Sequence, residues 1–305
     1  MTQPWRKLGR VLEASGAPLA RSHAMLPTPF VMADRLRVFY TACDEDLRGR
    51  VFSADFEREP PFRLMSRSAG PVLDLGPPGA FDCDGVNPSQ ALMVEGRLAL
   101  LYIGWRRGPA EAPYTLFAGV AFSDDQGATF ARGGEPMLGP RASERLFRTA
   151  PFVEQRPDGY RLLYIGGDAF APGPGGKALP IYSLMEMASE TLWDWDGPSR
   201  CLLAPDRARG EIGFGRPVSY QSDGADRLML SVRTQDGYRL VEMDRAFAPG
   251  TRPPMRPVVP EPLGPWERAM TCFGAPCRVG AHELLFYNGD GFGRTGAGLM
   301  WRPAD

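Results

Sequence analysis

Histidine is scarce and cysteine unpatterned in this 305-residue chain, which removes most metal chemistry at once. The only histidines are His23 and His282, and the five cysteines are Cys43, Cys83, Cys201, Cys272 and Cys277. Zinc ligation wants paired Cys or His at short spacing, and the closest pair, Cys272 and Cys277, has no second pair to join it. An odd, scattered set of thiols offers no disulfide framework and points to a reduced, cytoplasmic setting. No metal and no cofactor is expected. Neither sign of charge is in excess, with 35 Lys and Arg against 36 Asp and Glu and no long basic run. Nucleic acid and anionic membrane surfaces therefore lose their electrostatic case as partners. The apolar runs are strand-sized, far short of a membrane span, and the start MTQPWRKLGRVLEASG has no apolar core of signal-peptide length. Oligomeric state stays open.

Long helical patterns are also missing, and 36 glycines with 31 prolines suit many tight turns instead. What fills the chain is a fivefold recurrence. The copies are MLPTPFVMADRLRVFYTA, VNPSQALMVEGRLALLYIG, TAPFVEQRPDGYRLLYIGG, GRPVSYQSDGADRLMLSVR and GAPCRVGAHELLFYNGD. Their marking prolines are Pro27, Pro88, Pro151, Pro217 and Pro276, and the return strands end at Tyr40, Tyr102, Tyr164, Ser231 and Tyr287. Each copy passes from a proline-marked segment through a polar turn to a β-branched and aromatic run, as a hairpin does. The return runs are nearly continuously apolar, which fits strands covered on both faces. A diverged strand-and-turn repeat of about 60 residues predicts radially arranged sheets. The expected fold is all-β: one five-bladed β-propeller domain over 1–305. Its blades are expected roughly at 20–75, 80–140, 145–205, 210–260 and 265–305, with residues 4–15 closing the ring. The stretch 170–180, FAPGPGGKALP, reads as a flexible insertion in the third blade.

In such a fold the innermost strands line a central funnel, so polar residues near the proline-marked segments deserve inspection. They include His23, Asp82, Asp84, Asn87, Glu144, Arg148, Glu211, Arg216 and Glu267. Asp84-Gly85 is also the chemistry of a plain turn, and His23 that of an ordinary hydrogen-bonded histidine. Arg216 and Arg233 suit either a bidentate clamp on a carboxylate or phosphate, or salt bridges between blades. The glycines of GDGFGRTGAG lack a strand-turn-helix setting, and no Gly-x-Ser-x-Gly elbow occurs, so dinucleotide and esterase readings are set aside.

The segments FDCDGVNPSQALMVEGRLALLYIGW, FSDDQGATF and LFYNGDGFGRTGAGL resemble the five-bladed propellers of the arabinanase, levansucrase and invertase superfamily. They are nearest to β-mannoside phosphorylase-like proteins and to uncharacterised members linked to polysaccharide gene clusters. The resemblance implies a carbohydrate-active enzyme. Glycoside hydrolases of that superfamily generally carry an Asp base on the first inner strand, an Asp on blade two and a Glu acid beside a later proline. The first-blade segment HAMLPTPF holds no carboxylate, so only the blade-two acid, Asp82 or Asp84, carries across.

The expectation is thus a funnel enzyme that cleaves or transfers a glycosyl group of a sugar or polar anionic substrate. Asp82 or Asp84 would serve as acid or base, with Glu211 as partner carboxylate and His23 and Arg216 orienting the substrate. Arg233, Asn87 and Arg148 would bind it, and Trp105, Tyr182 and Phe292 would stack on it or wall it in. Two alternatives remain: an enzyme of a biosynthetic pathway with non-glycosidase chemistry, and a non-catalytic glycan-binding protein.

Overall fold

The structure, a computed structural model, describes residues 3–304. After an opening strand β1 (Arg6–Leu12), the chain lays down one antiparallel blade per repeat, the first three bridged edge to edge by short parallel pairings at Gly49↔Gly85 and Phe147↔Leu116. The first has β2 (Ser22–Val31), β3 (Leu36–Cys43), β4 (Gly49–Phe56) and β5 (Leu64–Arg67), and the second has β6 (Gly85–Val94), β7 (Arg97–Arg107), β8 (Tyr114–Ser123) and β9 (Ala131–Arg132). The third has β10 (Phe147–Arg156), β11 (Gly159–Pro172), β12 (Ala178–Ser189) and β13 (Ser199–Leu203). The fourth has β14 (Gly213–Ser222), β15 (Ala225–Thr234), β16 (Gly237–Asp244) and β17 (Arg256–Pro257). Three strands, β18 (Cys272–Val279), β19 (His282–Asn288) and β20 (Ala297–Pro303), make the fifth, and β1 adds to β20 from Arg6↔Trp301 to Leu12↔Ala297. The fifth blade is therefore shared between the two ends of the chain. Among the described residues no helix is long and apolar enough to cross a membrane.

The apolar return strands explain why the sheets stand face to face. On β3, Val38 and Tyr40 pack with Leu284 and Phe286 of the fifth blade, whereas Phe39 packs with Leu98 and Leu100 of the second. Leu101 then meets Leu162 and Tyr164, and Leu163 and Ile165 meet Leu228 and Leu230. Met229 meets Leu285 and Tyr287, which closes the circle. Successive side chains of a strand point to opposite faces, so each second strand buries one set against each neighbour. Five apolar interfaces join five sheets around one axis: a five-bladed β-propeller.

The proline marks resolve into a bulge that recurs in every inner strand. Its extra residue lies between Met25 and Thr28, Thr149 and Phe152, Gly215 and Val218, Cys272 and Ala275, and Pro88 and Gln90. Leu26, Ala150, Arg216 and Phe273, the first bulge residues of four blades, all have positive φ. Pro27, Pro151 and Pro217 follow that residue, but Pro88 occupies its place and Pro276 lies beyond the bulge. The prolines are thus not all at equivalent positions, because proline cannot adopt positive φ and blade two must bend differently. The segment 170–180 also differs from expectation. It is the tip of a paired hairpin, with Ala169↔Ile181 through Pro172↔Ala178 in register.

Candidate functional site

A funnel of about 670 Å³ opens on the axis. Its wall is made by the first residues of the inner strands, the last residues of the second strands and the loops beyond them. Eight of the eleven residues expected from sequence reach this wall: His23, Asp84, Asn87, Trp105, Tyr182, Arg216, Arg233 and Phe292. Asp82, Glu211 and Arg148 do not, and each has an architectural environment instead.

Asp82 is 1% exposed, and its Oδ2 accepts from the Tyr102 hydroxyl at 2.9 Å and from Arg132 Nη1 at 2.8 Å. The same contact recurs with the same separation of twenty residues. The Tyr164 hydroxyl donates to Glu144 at 3.0 Å and the Tyr287 hydroxyl to Glu267 at 2.5 Å. Each acid has a basic companion, Arg148 for Glu144 and Lys7 for Glu267. These latches tie the loop entering a blade to the tyrosine of its second strand, opposite the bulge. In blade four Leu230 replaces the tyrosine, and Glu211 instead pairs with Arg252 and accepts from the Asp206 amide at 2.9 Å. Carboxylates at matching positions of three blades therefore serve one recurring structural contact. Burial pushes the Glu144 carboxyl above its ordinary range and the Tyr164 phenol up to about 12.

At the floor of the funnel the bulges converge. Arg216 is fully enclosed, and its Nη1 donates to Pro27 O at 2.7 Å and Phe273 O at 3.3 Å. Its Nη2 donates to Thr28 Oγ1 at 2.7 Å and Ser89 O at 3.0 Å. One side chain of blade four thus pins blades one, two and five and plugs the axis. Burial without a carboxylate lowers its pKa to about 9, so the group stays charged near neutrality. Asn87 Oδ1, Thr149 Oγ1 and Arg216 Nε are buried and have no hydrogen-bond partner among the described residues.

Higher in the funnel stands Arg233, buried and 5.3 Å from the Tyr238 ring centroid. Its charge also acts on Tyr114 and Tyr182. Burial lifts the Tyr238 phenol to about 12 and Tyr182 well above its ordinary value, so both remain neutral hydroxyls. Tyr114 and Tyr238 were not singled out in the sequence, where each reads as one more aromatic in a strand. On the other side, Trp105 packs on Tyr114 with centroids 4.5 Å apart. Asp84 Oδ2 accepts from the Arg107 amide at 2.9 Å, which leaves Oδ1 without a partner among the described residues. His23 lies 2.9 Å from Ser22 Oγ through Nδ1, and burial followed by the Arg294 charge lowers its pKa, so it is mainly neutral at pH 7. Lys177, at the tip of the blade-three hairpin, reaches within 5.6 Å of the Phe292 ring and forms part of the wall. Among the described residues no three His, Cys, Asp or Glu side chains converge to hold a metal ion.

No family model matches the chain. The Mycobacterium tuberculosis protein "Uncharacterized protein Rv1502", from strain ATCC 25618 / H37Rv, is 25% identical over 308 aligned residues, covering 97% of this chain and 98% of that one. Among solved structures, one described as "Glycoside hydrolase" superposes with a TM-score of 0.68 at 15% identity, covering 98% of this chain and 93% of that one. A GH43_1 enzyme from Xanthomonas citri complexed with xylose gives 0.62 at 20% identity, covering 95% and 90%. A glycosyl hydrolase from Bacteroides ovatus gives 0.66 at 13% identity, covering 97% and 92%. The fold is one used by glycoside hydrolases. At these identities the likeness speaks for architecture, and the chemistry rests on this chain's own residues.

Proposed function

We propose that this propeller is a carbohydrate-active enzyme that cleaves or transfers a glycosyl group of a negatively charged sugar derivative. The observation carrying the reading is a pair of buried guanidinium groups on the funnel wall, Arg216 and Arg233, neither in an ion pair with a described residue. A buried cation without a counter-ion is costly, and an incoming anion supplies the missing charge in a medium of low dielectric. Aromatic walls suit the apolar faces of a sugar, and the volume falls within the range of small-molecule sites. Asp84 is the acid or base, since it lines the funnel with one oxygen uncommitted among the described residues, and neutral His23 is a second proton carrier or hydroxyl ligand. Asp82 and Glu211 are left in their structural contacts.

Asp84 and Asp46 are the only carboxylates on the funnel wall among the described residues, and Asp46 is exposed and paired with Arg48. A two-carboxylate hydrolase would need its second acid on the opposite side of the scissile bond. That shortage favours transfer or cleavage of an activated, anionic substrate over hydrolysis of plain glycosides. It also sustains the second reading, a glycan-binding protein without turnover.

The test is calorimetric titration with hexuronates, hexose phosphates and neutral hexoses, followed by turnover assays on glycosyl phosphates and aryl glycosides. Anionic sugars should bind and neutral ones fail, and Arg233→Gln should abolish that preference. Asp84→Asn should then lower turnover by roughly 10²- to 10⁴-fold while binding persists. Rapid hydrolysis of neutral aryl glycosides would refute the proposal. Tight binding without any turnover would leave the binding reading.

A further inference from the structure

The cations and the apolar groups of the funnel stand on different blades. Arg216 and Arg233 belong to blade four, whereas Leu47, Trp105, Pro113 and Tyr114 form a shelf at the mouth beside blades one and two. Gly85 lies opposite both Gly49 and Trp105. A Cβ on that glycine would stand 3.3 Å from Trp105 Cβ and 3.7 Å from the Gly49 amide nitrogen, so the turn carrying Leu47 runs close beside the Trp105 strand. Arg107 Nη2 ties the two by donating to Asp46 O at 2.7 Å. Trp105 in turn packs on Tyr114, with ring centroids 4.5 Å apart. The Arg233 charge acts on the Tyr114 phenol, so this one residue joins the shelf to the cationic side.

The shelf is exposed by construction. Leu47 is 62% exposed, the most exposed large apolar side chain among the described residues, and Trp105 is 36% exposed. A lone surface leucine is ordinary, but this one has a left-handed backbone, φ 60°, which leucine rarely adopts. A buried carboxylate fixes the turn that holds it. Asp44 accepts from the amides of Asp46 and Arg48 at 3.0 and 2.9 Å, and from Arg48 Nε and Arg50 Nη1. Strain held in place by its surroundings collects at ligand-binding positions.

The shelf offers little to sugar hydroxyls. Leu47 and Pro113 have no polar side-chain atom, the Asp46 carboxylate pairs with Arg48 at 3.3 Å, and Asp84 Oδ2 accepts from the Arg107 amide. A chain of methylenes fits better, since it needs no hydrogen bonds and is favoured by leaving water. Size agrees. At the roughly 30 Å³ that a water molecule takes in the liquid, the funnel's 670 Å³ holds about twenty such units. One hexose, with about a dozen non-hydrogen atoms, leaves much of that space open.

We infer that the ligand is amphipathic: its charged sugar lies in the funnel with Arg233, and an aliphatic aglycone runs out over Leu47, Trp105 and Pro113. This rests on the anionic-sugar reading above but on no particular reaction.

The experiment is calorimetric titration of the full chain. The probes are methyl, hexyl and octyl glycosides of hexuronates and of hexose 6-phosphates, their phenyl glycosides, and octyl glycosides of neutral hexoses, all below their critical micelle concentrations. Each added methylene should tighten binding about twofold, less than the roughly fourfold of complete burial because the shelf is open to water. The octyl ligand should also bind with a more negative heat-capacity change than the methyl one. Leu47→Asn suits the left-handed turn and removes the apolar side chain. It should weaken the octyl ligand about 3- to 10-fold and the methyl ligand less than about twofold, while the melting temperature holds or rises.

The outcomes separate the two claims. If the methyl ligands bind but chain length and Leu47→Asn change nothing, the aliphatic site is overturned and the anionic-sugar reading survives. If only the phenyl glycosides bind more tightly, the shelf takes an aromatic ring and the aliphatic assignment is overturned. If octyl hexosides bind as tightly as their charged counterparts and Leu47→Asn weakens both, the anion assignment falls and the shelf stands. If no probe binds, the shelf is overturned together with the sugar reading.

Discussion

Replacing Asp82 with asparagine should damage the fold and spare the funnel. The Asp82 carboxylate is 1% exposed and accepts both the Tyr102 hydroxyl and Arg132 Nη1 through one oxygen. Breaking a fully buried ion pair from one side costs about 3–5 kcal/mol. The Arg132 side chain is 19% exposed, so water recovers part of its hydration, and about 2–4 kcal/mol is the expected loss. Tyr102→Phe removes only the hydrogen bond to the charged oxygen, worth about 1.5–3 kcal/mol. The two changes share one oxygen, so the double variant should cost less than their sum. In a chain of this size about 3 kcal/mol corresponds to a fall of roughly 4–6 °C in melting temperature. The assay is denaturant unfolding of the four proteins, paired with sugar titration of each under native conditions. Per folded molecule, affinity should stay within about twofold of the parent. An Asp82→Asn protein that melts like the parent but loses turnover would refute the latch and return Asp82 to the funnel chemistry.

Arg216→Lys should destabilise the ring by about 2 kcal/mol or more, because a single ammonium cannot serve the four acceptors on blades one, two and five; denaturant midpoints read this out. His23 carries a depressed pKa in the folded chain, so its contribution to stability is complete above about pH 6.5, the unfolded value, and is lost as pH falls through the lower folded value. Across that window its protonation adds positive charge to the funnel, so affinity for an anionic sugar should rise on acidification, and His23→Asn should flatten the profile. Deleting residues 3–12 removes the outer strand of blade five and the Lys7–Glu267 bridge, and cooperative unfolding should vanish in calorimetry.

The fold was legible because repetition multiplies a weak signal. No single run such as LALLYIG distinguishes a doubly covered strand from a buried helix segment, but five such runs at similar spacing, each after a polar turn, do. The prolines misled in detail. Pro88 and Pro276 sit off the shared position, since what the repeats have in common is a bulge rather than a residue type. The site was half legible: His23, Asp84, Asn87, Arg216 and Arg233 were found by their nearness to inner strands. Tyr114, Tyr238 and Thr149 were not, because strand aromatics and threonines are equally at home in the blade walls. Asp82 and Glu211 carried the same positional signal as the true wall residues, and only the side-chain direction separates them.

That confusion has a physical origin. A position that looks alike in several blades experiences the same surroundings in each, and so reports what those blades share: a tyrosine opposite the bulge in four of them, an acid twenty residues earlier in three, a glycine where the Tyr102 ring passes. Gly119 shows the constraint, since a Cβ there would stand 2.4 Å from Tyr102 Cζ. Ligand chemistry has no fivefold symmetry, so it must be written where the repeats disagree. The first bulge residue is Leu26, Pro88, Ala150, Arg216 and Phe273 around the ring, and the residue before it is Met25, Asn87, Thr149, Gly215 and Cys272. Those two rings hold Asn87, Thr149 and Arg216, the polar residues that line the funnel at that level. The strongest sequence sign of the site is therefore a row of aligned positions whose chemistry changes at every blade.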